Sequence, residues 1–214
     1  MAMTQVPEQQ RHSKTQQKGE NPWVEGLKTV GLSVVLAIGI RHFVAEARYI
    51  PSGSMEPTLQ INDRLIIEKL SYHFGDPQRG DVVVFSPTQA LEDRNFKDAF
   101  IKRVIGLPGE TIVVENGQVY VDGKPLSENY IAQGEDTQVG MCFPNDIPYL
   151  EEPVTIPADS YLVLGDHRNN SYDSRCWGVV PRDKIIGRAV VRFWPLNRLG
   201  GVDSEPPYAT TIEK

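Results

Sequence analysis

Hydrophobic residues along the chain follow two patterns. Residues 27–45 (LKTVGLSVVLAIGIRHFVA) form one long apolar run, whereas short apolar runs separated by turn residues begin after Arg48. The short runs are rich in valine and isoleucine, and their length and β-branched content favour strands over helices. We therefore predict one N-terminal helix followed by strands at 64–69, 81–85, 100–105, 111–115, 119–121, 161–164 and 185–194.

Turn signals separate the predicted strands. Residues 115–118 (ENGQ) place an Asn-Gly pair between two apolar runs, which is typical of a two-residue hairpin turn. Polar residues and proline in 133–152 predict a long loop. The 18 glycines and 16 prolines fit a strand-rich fold with many turns.

The long apolar run is the candidate for a membrane span. Its uninterrupted core, 29–40, is too short to cross a hydrocarbon layer of about 30 Å at about 1.5 Å per residue. Leu27 and residues 43–45 extend the core to nearly a full span when Lys28 and Arg41 snorkel outward. We therefore predict a transmembrane anchor at 25–46.

Basic residues precede the uninterrupted apolar core and predict the orientation of the anchor, because positive charge stays on the cytoplasmic side. The resulting division is a disordered cytoplasmic tail at 1–24, the anchor at 25–46 and an extracytoplasmic domain at 47–214. Two alternatives stay open for the apolar run. It is also compatible with a helix buried in a soluble core, or with a cleavable signal peptide, since Ala45-Glu46-Ala47 is an A-x-A sequence after a short apolar run. The basic residues are Arg11, Lys14, Lys18 and Lys28.

Charge and cysteine content limit the partners to be expected. The net charge of −6 and the pI of about 5.3 lack the basic signature of nucleic-acid binding. Cys142 and Cys176 belong to no CxxC or Cys/His cluster, so neither a zinc site nor any other metal site is expected. They are either two buried thiols or, outside the cytoplasm, one disulfide.

The segment 51–59 (PSGSMEPTL) is the first candidate for chemistry. Its prolines restrict φ on either side of Ser54, and Gly53 permits a tight backbone path, so the loop can hold a hydroxyl rigidly. A serine hydroxyl is a weak nucleophile unless a base accepts its proton. The alternative is an ordinary Pro/Ser/Gly linker.

Two residues are candidates for that base. His167 follows Asp166 and resembles part of a Ser-His-Asp set, or is a loop histidine. Lys102 lies in an apolar strand, where alternation places it on one face with Phe100. An apolar environment lowers the pKa of a lysine and yields a neutral amine that can accept a proton. The alternative is an edge-strand lysine that points to water.

The loop 165–178 (GDHRNNSYDSRCWG) concentrates charged and hydroxyl side chains. Such a loop can lie near a core only if its polar groups satisfy each other. An aspartate–arginine pair within it would brace the loop. A solvated surface loop is the alternative.

Taken in order, four motifs closely resemble those of bacterial type I signal peptidases, and the resemblance extends from Arg48 to Trp194. It implies a mainly β fold: an antiparallel β-sheet catalytic domain of the signal-peptidase and LexA-like type, with a small β-rich insert at about 106–162, after one N-terminal transmembrane helix. The motifs are 51–59, 63–69 (DRLIIEK), 79–85 (RGDVVVF) continuing to 102–110 (KRVIGLPGE), and 165–178.

The resemblance also implies roles for individual residues. Ser54 would be the nucleophile and Lys102 the general base, and the Ser52 hydroxyl with the Ser54 N–H would form the oxyanion hole. Ser171 would orient the lysine amine, and Asp173 with Arg175 would support it. Small apolar pockets for Ala-x-Ala would be lined by Ile50, Pro51, Met55, Leu59, Phe100 and Ile101.

The implied function is that of a membrane-anchored serine endopeptidase that removes signal peptides from exported preproteins. Its partners would be preproteins and membrane lipid, with no cofactor and no obligate protein partner. The implied location is a bacterial plasma membrane or an internal membrane such as the thylakoid. Rival functions are a Ser-Lys protease that cleaves itself or one partner, an inactive module that binds preproteins, and a histidine-based hydrolase.

The chain departs from the family pattern at three points. Many relatives have two spans before the catalytic domain, the family often has glycine where Asn62 stands, and a Cys142–Cys176 bridge is not general to the family. A bridge would tie the insert to the loop that contains Ser171, so we expect its reduction to loosen the active site.

Overall fold

The computed structural model describes residues 21–132, 134–140, 142–143 and 148–202. Positions 1–20 of the predicted tail lie outside the described residues, as do positions 133, 141 and 144–147 of the predicted loop. Contacts between residues divide the protein into two units, Met1–Ile38 and Gly39–Lys214.

Helix α1, Pro22–Gly39, begins where the Asn21 side chain accepts a hydrogen bond from the Trp23 N–H, with proline in the first helical position. The Thr29 hydroxyl donates to the Glu25 carbonyl and the Ser33 hydroxyl donates to the Thr29 carbonyl, each one turn earlier in the helix. Both hydroxyls are therefore hydrogen-bonded within the helix. The helix continues as a π-helical turn, Ile40–Val44. These 23 residues are long and apolar enough to cross a membrane, and none of them is buried in the protein.

The described part of the second unit is mostly β, as the apolar runs predict. Its short helices are α2, Ser71–Phe74, α3, Gln89–Glu92, and α4, Ser174–Trp177, with 3₁₀ turns at Arg168–Asn170, Arg182–Lys184 and Leu196–Arg198. Its strands are β1, Ala45–Tyr49; β2, Arg64–Glu68; β3, Val82–Phe85; β4, Phe100–Gly106; β5, Thr111–Glu115; β6, Gln118–Val121; β7, Lys124–Pro125; β8, Val154–Thr155; β9, Ser160–Leu164; β10, Val180–Pro181; β11, Ile185–Trp194; and β12, Gly200–Gly201.

The larger sheet has the strand order β1-β2-β11-β3-β4-β9-β10, with β12 also paired to β11, and its strand pairs are antiparallel. Both faces of its centre are covered by core residues. Val83 and Phe85 pack on one side, whereas Val82 and Val84 pack on the other. This burial on two faces explains why β3 is continuously apolar instead of alternating.

The smaller sheet, in the order β7-β6-β5-β8, follows β4 in the chain. Its hairpin pairs Glu115 with Gln118 around Asn116 and Gly117, which both have positive φ. The Asn-Gly pair therefore forms the predicted two-residue turn. A third core cluster joins this sheet to the larger one through Ile105 of β4, with residues such as Ile112 and Leu162.

Candidate active site

The loop that carries Ser54 is fixed by apolar anchors. Met55 and Leu59 are fully buried in the core beneath the larger sheet, and Ile50 is 2% exposed. Backbone hydrogen bonds connect the Ile50 N–H to the Asp63 carbonyl and the Asn62 N–H to the Ile50 carbonyl. Since its anchors lie on both sides of Ser54, the loop presents that hydroxyl in a defined place.

Lys102 lies in β4, where it pairs with Val83 of β3, and the pairing of β4 with β9 begins at the next residue, Arg103. The Lys102 Nζ lies 2.8 Å from the Ser54 Oγ and 2.9 Å from the Ile101 carbonyl oxygen. Ser54 and Lys102 are only 8% and 4% exposed. A buried amine and a buried hydroxyl are therefore within direct hydrogen-bond distance.

Burial is the main influence on the charge of Lys102. It lowers the pKa of the amine from 10.5 to about 8, while the charges of Asp173 and Asp166 act in the opposite direction and Arg175 adds to the lowering. With a pKa of about 8, roughly a tenth of the amine is neutral at pH 7. Neutral Nζ has a lone pair that can accept the Ser54 proton.

The Asp173–Arg175 pair braces the loop after β9. The Arg175 guanidinium donates to both carboxylate oxygens of Asp173, from Nε at 2.8 Å and from an Nη at 2.9 Å. Burial opposes ionisation of Asp173, but the Arg175 charge and hydrogen bonds, with those from the Gly165 N–H and the Ser171 hydroxyl, lower the pKa of the carboxyl. The bidentate pair holds the loop, and Arg175 also binds the Ser171 carbonyl.

Ser171 and Ser54 approach each other around Gly165. A side chain at Gly165 would place its Cβ 2.1 Å from the Ser171 Oγ and 2.5 Å from the Ser54 carbonyl oxygen. The Ser171 Oγ is buried and has no hydrogen-bond partner of normal geometry among the described residues. It also lines the same cleft as Lys102.

Two further buried ion pairs hold this loop, and neither was predicted. Arg103 binds both carboxylate oxygens of Asp166, at 2.8 and 2.6 Å, and stacks 4.2 Å from the Tyr130 ring. Arg168 donates to Glu128, with an Nη at 2.8 Å from one oxygen. The sequence indicates only that the charged side chains of the loop 165–178 need partners. It does not identify those partners, because Arg103 and Glu128 lie far from the loop in sequence.

Asp166 does not orient His167, because its carboxylate is held by Arg103. The His167 Nδ1 instead lies 3.2 Å from the Gly53 carbonyl oxygen, and the His167 backbone N–H donates to the Ser54 carbonyl. The Ser-His-Asp arrangement considered from the sequence therefore does not form here.

Two donors near the Ser54 hydroxyl are available to a ligand. Within the described part of the chain, neither the Ser54 N–H nor the Ser52 hydroxyl makes a hydrogen bond. Both residues line the cleft, and Ser52 is exposed. A backbone N–H and a hydroxyl in this position could stabilise an oxyanion if the Ser54 hydroxyl attacked a carbonyl.

The cleft has a volume of about 800 Å³ and is formed by residues 51–54, 95–102, 142–143 and 169–172. Of the six residues expected to line apolar pockets, Pro51, Phe100 and Ile101 line this cleft. The other three lie behind it in the core; they are Ile50, Met55 and Leu59.

A disulfide connects one wall of the cleft to α4. It joins Cys142 to Cys176, whose Cα atoms are 5.4 Å apart. Phe143, next to Cys142, packs its ring 4.5 Å from that of Tyr172, and both residues line the cleft. Cys176 directly follows Arg175, so the bridge links this aromatic wall to the segment that carries the buried Asp173–Arg175 pair.

Comparison with known proteins gives consistent matches. A family model described as signal peptidase, peptidase S26, matches residues 23–194. A signal peptidase I from Leptolyngbya laminosa is 61% identical over 91% of each chain, and a probable signal peptidase I-2 from Synechocystis is 58% identical over 92% of this chain and 85% of its own. A probable thylakoidal processing peptidase 2 from Arabidopsis thaliana is 34% identical over 86% of this chain and 50% of its own.

Proposed function

The chain belongs to the signal peptidase family, peptidase S26, as a serine endopeptidase of the bacterial type I signal peptidase class, and we propose that it cleaves exported preproteins with Ser54 as nucleophile and Lys102 as general base. The observation that carries this assignment of residues is the 2.8 Å separation of the Lys102 Nζ and the Ser54 Oγ in a buried site. The lowered pKa of Lys102 supports it, because a base must be deprotonated before it can act.

Acylation begins when the neutral Lys102 amine takes the hydroxyl proton as the Ser54 Oγ attacks the scissile carbonyl carbon. The carbonyl oxygen becomes an oxyanion, which the Ser54 N–H and the Ser52 hydroxyl stabilise. Each such donor contributes about 3 kcal/mol in comparable hydrolases. The C–N bond then breaks, and protonated Lys102 gives its proton to the departing amine, which leaves the signal peptide as an ester on Ser54.

Deacylation repeats the same proton transfers with water in place of serine. Lys102 accepts a proton from a water molecule as the water oxygen attacks the ester carbon. The C–O bond to Ser54 breaks and its oxygen recovers the proton. The same amine acts as a base and then as an acid in each half-reaction, so one buried titratable group is enough for the cycle.

Ser171, Asp173 and Arg175 keep the amine in place. The buried Ser171 Oγ lines the same cleft as Lys102 and makes no hydrogen bond of normal geometry to a described residue, which supports a role as a second polar neighbour of the amine. Asp173 and Arg175 brace the loop that carries this serine through their bidentate pair. The net effect of Asp173 on Lys102 is to limit the lowering of its pKa.

The cleft beside Ser54 is suited to small apolar side chains. Pro51, Phe100 and Ile101 line it directly. Ile50, Met55 and Leu59 back the same segment from the core and limit the room available to a side chain. We therefore assign cleavage after Ala-x-Ala sequences to this site.

The apolar N-terminal helix supports anchoring in a membrane, with one span at 25–46. The basic residues before its apolar core support a cytoplasmic tail at 1–24 and a catalytic domain at 47–214 on the extracytoplasmic face. The approximate limits of the β-rich insert are 106–162. The helical part of that span ends at Val44, and Ala45 and Glu46 pair with β2 as the first residues of β1. The relatives include bacterial and thylakoid peptidases, which supports a plasma membrane or a thylakoid as the location.

The decisive experiment is cleavage of several unrelated preproteins by the full chain and by its Ser54→Ala and Lys102→Met variants. We expect both variants to lose activity on every preprotein, because Met keeps the bulk of the lysine stem but has no amine. An inactive binding module would tolerate Ser54→Ala, and a histidine-based hydrolase would tolerate Lys102→Met. A protease dedicated to one partner would leave most of the preproteins uncut.

A further inference from the structure

His167 contacts both peptide carbonyls that flank the nucleophile. Its Nδ1 lies 3.2 Å from the Gly53 carbonyl oxygen, and its backbone N–H donates to the Ser54 carbonyl oxygen, also at 3.2 Å. The nearest carboxylate, that of Glu56, is 4.0 Å from Nδ1, beyond hydrogen-bond distance. The Gly53 oxygen is thus the acceptor for an Nδ1–H donor, and it also accepts from the Glu56 backbone N–H at 3.1 Å, so two donors hold it.

The Gly53 carbonyl and the Ser54 N–H belong to one peptide unit. In a trans peptide these two groups point in opposite directions, and the unit is planar; the bond between Gly53 and Ser54 is trans. A hydrogen bond that fixes the carbonyl therefore also fixes the direction of the N–H. That N–H makes no hydrogen bond to any described residue, and Ser54 lines the cleft.

The loop that presents His167 is itself held firmly. Asp166, the preceding residue, binds Arg103, and Arg168, the following residue, binds Glu128 and the Gly165 carbonyl. Asp166 and Arg168 are fully buried. The imidazole is therefore supported on both sides by buried ion pairs, although its own side chain is 34% exposed.

We propose that His167 is a positioning residue that, together with the Glu56 backbone N–H, holds the Gly53–Ser54 peptide so that the Ser54 N–H faces the oxyanion of the transition state. The inference rests on the proposed function, because it needs Ser54 to be the nucleophile. His167 takes no proton from Ser54; it acts through the peptide unit. Its effect belongs to the transition state, in which the negative charge develops, and not to binding of the uncleaved peptide.

Three substitutions test this role by geometry. His167→Ala removes the donor. In His167→Asn the amide nitrogen is bonded to Cγ, as the histidine Nδ1 is, so an N–H donor stays at the same distance from the backbone. In His167→Gln the amide nitrogen is one bond further from the backbone. We expect Ala and Gln to lower kcat about 10- to 100-fold with KM within about twofold of wild type, and Asn to recover activity to within about threefold.

A peptide aldehyde ending in Ala-x-Ala provides a second readout, since its adduct with a serine oxygen mimics the tetrahedral oxyanion. Its inhibition constant should rise by the same factor as kcat falls in His167→Ala, and recover in His167→Asn. His73→Ala is the matched control, because His73 is an exposed histidine in α2 that does not line the cleft. It should change neither quantity.

Measurements on the full chain in detergent micelles separate the outcomes. Wild-type kcat in His167→Ala, a loss confined to KM, or equal activity of the Asn and Gln variants would overturn the proposal. If His167→Ala does not fold, the comparison of Asn with Gln still decides. Retained activity in Ser54→Ala or Lys102→Met would overturn the proposed function instead, whatever the His167 variants do.

Discussion

The Cα of Gly165 lies so close to Ser171 that a methyl group on it would come within 2.1 Å of the Ser171 Oγ. The same methyl group would lie 2.5 Å from the Ser54 carbonyl oxygen. A side chain at Gly165 therefore forces a movement of the backbone at Gly165, at Ser171 or at Ser54. Ser54 carries the proposed catalytic hydroxyl, and Ser171 carries the proposed supporting hydroxyl.

Gly165→Ala should consequently lower kcat/KM about 100-fold or more, because a displacement of about 1 Å at a reacting group is enough for such a loss. Gly140→Ala is the matched control, since a Cβ at Gly140 meets no atom of the described residues within 4 Å. Steady-state kinetics on an Ala-x-Ala peptide measure both variants. Comparable activity of the two would show that the close packing at Gly165 has no bearing on the reaction.

The activity should depend on pH through Lys102. A general base acts when deprotonated, so kcat/KM should rise about tenfold per pH unit below the pKa of about 8 and level off above it. The expected midpoint differs from that of a free lysine, which would titrate near 10.5. A profile of initial rates from pH 6 to pH 10 measures the midpoint, and a midpoint near 10.5 would contradict a buried amine as the base.

Lys102→Met should abolish cleavage and stabilise the fold. The pKa of Lys102 is about 8 when folded against 10.5 for the ordinary group, so the folded state binds the proton more weakly. This lowers the free energy of unfolding by up to about 3 kcal/mol below pH 8, and the penalty disappears as pH rises from 8 to 10.5. We expect the variant to be about 1–3 kcal/mol more stable at pH 7, since its lost hydrogen bonds offset part of the gain.

Denaturant unfolding of wild type and Lys102→Met at pH 7 and at pH 10 measures this difference. Lys124→Met makes the same chemical change at an exposed position of β7 and should leave stability within about 0.5 kcal/mol. If Lys102→Met were less stable than wild type at pH 7, burial of the amine would not be the source of its lowered pKa.

Local patterns were sufficient to predict most of the fold. Runs of valine and isoleucine identified the central strands, and the Asn-Gly pair identified the hairpin at Glu115–Gln118, because these features depend on neighbours in sequence. Strand β1, with the sequence AEARY, has no such pattern. It is a strand because the edge of β2 supplies its hydrogen bonds, which is a long-range cause.

The candidate site was less accessible to sequence reasoning. Residue types and motif order led to Ser54 and Lys102, which are 48 positions apart, but no local rule predicts that their side chains meet. The Arg103–Asp166 pair spans 63 positions, and the Arg168–Glu128 pair spans 40. Such pairs depend on which strands become neighbours, so they emerge only with the tertiary structure.

Reduction of the Cys142–Cys176 bridge should lower activity. The bridge holds Phe143 at the cleft and is adjacent to Arg175, so its loss would loosen both features. It links positions 34 residues apart, and opening a loop of this length costs about 3–4 kcal/mol of stability. Rates of peptide cleavage with and without dithiothreitol measure the effect. The Cys142→Ser/Cys176→Ser double variant should show the reduced rate and no response to reductant, whereas equal wild-type rates in both conditions would rule out a contribution of the bridge to catalysis.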